Sequence, residues 1–185
     1  MNKGFHSRAG FTLIEVLVVV AIIGILSAAG VSSLNDAIAN SRLKDAIINT
    51  RAFTEVMSSE AKRLNDSLCI KFEAKKMTAY HYGAGACGGT AIDSRSLEGQ
   101  ISFLGTAPGN AAAQESFVGT PSVWSASGSY FILAPQQGVS SVVSEGIIGL
   151  RYGNSSRYGA ILKTAKKNHL QAFFSADGGS SWITP

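Results

Sequence analysis

Glu15 is the residue whose placement first asks for a chemical explanation. It is the single charged side chain in FTLIEVLVVVAIIGILSAAGV, residues 11–31. A carboxylate inside so apolar a stretch costs about 2.5–3.5 kcal/mol on membrane-insertion scales, so it marks a functional site in need of a partner. No Lys or Arg stands within a turn or two of it, so that partner is expected from outside the chain. The other reactive residue types lie downstream. Cys69 and Cys87 are the only cysteines, spaced wrongly for a CxxC redox motif or a metal knuckle. Arg157, Lys163, Lys166 and Lys167 form the densest basic cluster, and Lys75 with Lys76 a second. His6, His81 and His169 have no motif-level partners, no G-x-S-x-G elbow occurs, and no pair of carboxylates stands out for acid–base work. The glycine-rich residues 83–90 lack the Gly-Lys-Ser/Thr ending of a phosphate cradle and read as a connection. Neither a catalytic centre nor a cofactor or metal site is expected.

The elements that carry these residues are legible in the hydropathy pattern. A helix over residues 11–31 spans roughly 30 Å, the thickness of a bilayer's hydrocarbon core. Lys3 and Arg8 on its N-terminal flank keep that end in the cytoplasm, which places the remainder outside. A secretory signal fits less well, because the run is long and no small-residue cleavage site closes it. From Leu34 to about Asp66 the pattern becomes amphipathic. Leu43, Ala46, Ile47, Phe53, Val56, Met57, Ala61 and Leu64 recur at three- and four-residue steps and are expected to face a core. Beyond Asp66 the period is two. Residues 68–72 and 77–82 suggest a hairpin, with further strands expected at 100–104, 130–134, 139–143, 146–152, 159–164 and 170–175. Residues 107–129, rich in Gly, Ala and Ser, are expected to form a long loop around one short strand.

The fold class is therefore α+β: a long N-terminal helix, half transmembrane and half amphipathic, packed on an antiparallel β-sheet head. The divisions are a leader at 1–10, an anchor at 11–33, a helix continuation at 34–66 and a head at 67–185. With 45% apolar and 15% charged residues, composition excludes a disordered chain, and with no proline before Pro108 it excludes proline-rich and collagen-like architectures.

Gly10-Phe11-Thr12-Leu13-Ile14-Glu15-Val16 resembles the processing signature of type IV prepilins and of the pseudopilins of type II secretion. The resemblance covers residues 1 to about 35. It implies that a prepilin peptidase cuts between Gly10 and Phe11 and methylates the new Phe11 amine. It also implies that Glu15 pairs with the amine of a neighbouring subunit during filament assembly. Two charges that meet only in the assembled state favour register over burial in isolation, which agrees with that role. The implied partners are other pilin or pseudopilin subunits, the peptidase, an inner-membrane assembly platform and the cytoplasmic membrane. The implied location is a single-pass inner-membrane protein that enters a pilus or a periplasmic pseudopilus. Many members carry a proline where this chain has Ser32 and Ser33, so any local melting of the helix must use Gly24 and Gly30. The long amphipathic helix and antiparallel head most resemble minor pilins and H-type pseudopilins.

Outside the cytoplasm Cys69 and Cys87 are expected to form a disulfide, the alternative being two buried thiols. Residues 175–182, SADGGSSW, resemble the Asp-box turn of sialidase-type propellers. One copy in a short head reads as a structural hairpin, though it keeps open a monomeric, lectin-like module. DNA is the remaining alternative partner, through the basic cluster of Arg157, Lys163, Lys166 and Lys167. From Ser67 onward nine basic residues face six acidic ones, a net of +3, which is weak support for it.

Overall fold

A computed structural model describes residues 11–115, 117, 120–135, 145–164 and 169–185, apart from the side chains of residues 29, 30 and 32. One helix, α1, runs Leu13–Leu64. The chain divides into two compact units, Met1–Ile38 and Ala39–Pro185.

In the first unit every described side chain from Phe11 to Ile38 is exposed. Leu13, Ile14, Leu17, Ile25 and Leu26 are each at least 60% accessible, and the helix is apolar enough to cross a membrane. A helix apolar on all sides is stable only where lipid or other helices cover it.

In the second unit α1 buries one stripe, formed by Ala39, Leu43, Ala46, Ile47, Phe53, Met57 and Ala61. Thr50 and Thr54 share that face, their hydroxyls satisfied by donation to the carbonyls of Ala46 at 2.8 Å and Thr50 at 2.9 Å. Val56 and Leu64, expected to be buried, are 58% and 39% exposed. At 100° per residue Val56 lies about 140° round the helix from Leu43, and Leu64 ends it. The Asp66 N–H donates to the Ala61 carbonyl at 3.1 Å and the Asn65 N–H to Lys62 at 3.2 Å, with Asn65 at φ 50°. This is a Schellman stop.

Among the described residues nine strands follow: β1 Leu68–Glu73, β2 Lys76–Gly83, β3 Ala86–Ser96, β4 Ile101–Leu104, β5 Ser122–Val123, β6 Tyr130–Leu133, β7 Gly146–Tyr152, β8 Tyr158–Lys163 and β9 Gln171–Ser175. One sheet has the order β3-β2-β1-β6 and the other β4-β7-β8-β9, with the short β5 lying parallel to β7. All other pairings are antiparallel. The glycine-rich residues 83–90, expected as a connection, are instead the end of β2, a two-residue turn and the start of β3. Ala84 and Gly85 both take positive φ, which a tight hairpin requires. The strand expected at 139–143 lies outside the described residues.

Alternation along β1 sends Leu68, Ile70 and Phe72 into the core with Met77, Ala79, Phe131 and Leu133. The second sheet is buried on both faces. Ile148, Leu150 and Ile161 join the main core, while Ile147, Ala160 and Leu162 pack with Ala111. Gly159 allows the closest approach of helix to sheet: a Cβ there would stand 2.5 Å from Ile47 Cγ1. Cys69 and Cys87 form a disulfide with Cα atoms 5.8 Å apart, tying β1 to β3 across the intervening strand.

Candidate functional site

The site begins where the helix does. Phe11 and Thr12 are not helical, and Phe11 is 87% exposed. The Val16 N–H closes the first helical bond onto the Thr12 carbonyl at 3.3 Å, so Thr12 is the N-cap. Its hydroxyl accepts from the Glu15 N–H at 3.3 Å, and the Glu15 carboxylate reaches back through Oε2 to accept from the Thr12 N–H at 3.0 Å. The Thr12 hydroxyl also donates to Oε2, at 2.9 Å. These reciprocal bonds make a capping box, in which two otherwise orphaned amide donors are satisfied by side chains.

Within its own chain Glu15 is bonded to Thr12, three residues back. Sequence reading left Thr12 without a role, although Thr-x-x-Glu ahead of an apolar run is the signature of this box. What the box supplies is hydrogen bonds. Among the described residues no positive charge is bonded to Glu15. Gly10, on the other side of the bond to Phe11, lies outside the described residues.

The head residues singled out in the sequence do not converge. Arg157 precedes β8 and donates from Nε to Asn40 Oδ1 at 2.7 Å. Lys163 ends the same strand, about 20 Å further along at 3.3 Å per residue. It is only 7% exposed, and burial lowers its ammonium pKa while the Glu145 carboxylate opposes the shift. Lys166 and Lys167 lie outside the described residues. Lys75 donates to the Gly99 carbonyl at 2.9 Å, and Lys76 is exposed. Of the four cations of the cluster, the two that are described, Arg157 and Lys163, are thus well separated along the chain, and Lys163 is buried.

The turn at 175–182 is a closed hydrogen-bonded unit. Asp177 accepts from the Ser175 hydroxyl at 2.7 Å, from the N–H groups of Ser180 at 3.2 Å and Ser181 at 3.0 Å, and from the Ser181 hydroxyl. These donors hold its carboxyl well below the usual carboxylate range, Ser181 contributing most. Trp182 donates from Nε1 to the Gly179 carbonyl at 3.0 Å, and Phe174 pairs with Ile183 to close the hairpin. The carboxylate is spent on its own turn. Among the described residues no group of three His, Cys, Asp or Glu is placed to hold a metal.

The site is thus an exposed apolar segment whose one carboxylate, Glu15, is folded back onto the helix start. Residues 5–31 match the family model described as the prokaryotic N-terminal methylation motif, which is the prepilin-type motif of type IV pilins and pseudopilins. The chain is accordingly pilin-like. The motif is that of structural, generally non-enzymatic proteins that a prepilin peptidase processes and that assemble with other pilin subunits. With the long apolar helix it fits membrane anchoring and pilus assembly. No curated protein and no solved structure matches the chain.

Proposed function

We propose that the chain is a non-enzymatic minor pilin or pseudopilin, a low-copy subunit of a type IV pilus or type II secretion filament. The peptidase cuts between Gly10 and Phe11 and methylates the Phe11 amine. The subunit then waits in the cytoplasmic membrane, with its head outside, until an assembly platform draws it into the filament. Docking is directed by Glu15 and the Phe11 amine of a neighbour, and packing of residues 16–26 holds the filament core. The observation that carries this reading is the lone carboxylate within the methylation motif, on a helix exposed at every described position of the apolar segment.

Filaments sheared from the cell surface and quantified by mass spectrometry against the remaining envelope test it. A small fraction of filament protein is expected, and Glu15→Ala should remove it. A dominant share would make this a major pilin. Retention in the envelope with a secretion defect on deletion would make it a pseudopilin. Unchanged incorporation of Glu15→Ala would overturn the assembly role. The separation of Arg157 from Lys163 and the burial of Lys163 give the DNA-binding alternative no support.

A further inference from the structure

The Thr12 hydroxyl makes one bond more than a helix cap requires. A cap needs only an acceptor for the first free amides, and the hydroxyl meets that need by accepting from the Glu15 N–H. It also donates its single proton to Glu15 Oε2, which already receives the Thr12 N–H. Both bonds fall on the same carboxylate oxygen. Oε1 accepts no bond among the described residues, so the bonds that hold the carboxylate to the helix start run through Oε2. Hydrogen bonds to an ionised group are the strong ones, more so where water is excluded. A carboxylate without them in lipid would be free to sample rotamers that draw it toward the headgroups.

We infer that Thr12 is a positioning residue for Glu15: its hydroxyl pins the carboxylate to the first turn of the lipid-embedded subunit and leaves Oε1 directed to receive the cation of an arriving subunit. The inference rests on the assembly reading above. It gives Glu15 two successive sets of partners. Its own helix start serves while the subunit waits, and a neighbour's positive charge adds to those bonds on docking.

The test uses the full-length chain with its assembly machinery and three variants. Thr12→Ser keeps the acceptor and the donor. Thr12→Gly keeps the helix start, since glycine caps nearly as well as threonine, but removes the donor to the carboxylate. Thr12→Val removes both. Incorporation into filaments is expected at the native level for Thr12→Ser and about ten-fold lower for Thr12→Gly and Thr12→Val, the effect of about one charge-assisted hydrogen bond. Native incorporation of Thr12→Gly with only Thr12→Val defective would make Thr12 a helix cap and overturn the proposal. So would loss of Thr12→Gly at the cutting step, seen by intact mass as chain retaining residues 1–10. Glu15→Ala in parallel separates the two readings. If it incorporates normally, the assembly reading fails. If it is lost while Thr12→Gly assembles normally, only the role of Thr12 fails.

Discussion

Single side chains in this protein are fixed by how many donors they can satisfy, and Asp177 is the clearest case in the head. Four donor groups converge on its carboxylate, and they favour the ionised form. Its pKa is depressed from the ordinary 3.8, so the stability it contributes is fully present above that value and is lost as the pH falls below it. Asp177→Asn should therefore lower the thermal midpoint at neutral pH, and the gap to the native chain should narrow below about pH 4. Midpoints of the two detergent-solubilised chains across that range provide the check. A gap independent of pH would mean that the carboxylate's charge is not what the turn uses. Glu15 is likewise held by donors in its own turn. Its importance could be read from composition, because one charge in an apolar run is conspicuous. Its capping bond was equally present in the sequence, as Thr-x-x-Glu, but a search for countercharges passes over a hydroxyl.

At the scale of elements, legibility followed periodicity. The strands at 146–152, 159–164 and 170–175 were read to within a residue or so, because each alternates or runs apolar and ends at turn residues. β3 was not readable. It is an edge strand with seven of its eleven residues exposed, so no alternation marks it, and Gly88 and Gly89 imitate a loop. Its register also shifts against β2 between Ala79 and Tyr80 and between Tyr80 and Tyr82. The helix was legible in extent but not at Val56, where apolar type and buried position disagree. The β2–β3 turn offers a test at this scale. Ala84 sits at φ 51°, a region that costs a residue with a Cβ roughly 1 kcal/mol or more. Ala84→Gly should raise stability by about 0.5–1 kcal/mol, after allowance for the greater freedom of glycine in the unfolded chain. Denaturant titration reads this directly, and a loss of stability would show that the turn is not under local strain.

At the scale of the molecule, the head is closed on itself by one covalent link. Cys69 and Cys87 are 18 residues apart in sequence and both buried. In the chain-entropy picture, closing a loop of that size stabilises by about 3 kcal/mol, so replacing both with serine should cost that order in denaturant. A reductant should reproduce the loss only after partial unfolding exposes the bond. Equal stability with and without the link would assign the head's integrity to packing alone.

The close approach of Ile47 to Gly159 works as a keyway. The helix can lie along the sheet in several axial positions only if several of its residues fit the notch, and a one-turn slide would bring Leu43 or Arg51 there instead. Leu43 has its own place in the core, and Arg51 would carry a charge away from Glu55 into apolar surroundings. One absent methyl therefore selects one axial setting. That setting also decides which residues of the amphipathic stretch face the core and which, like Val56, are turned outward. A head built this way has its register cut into the sheet.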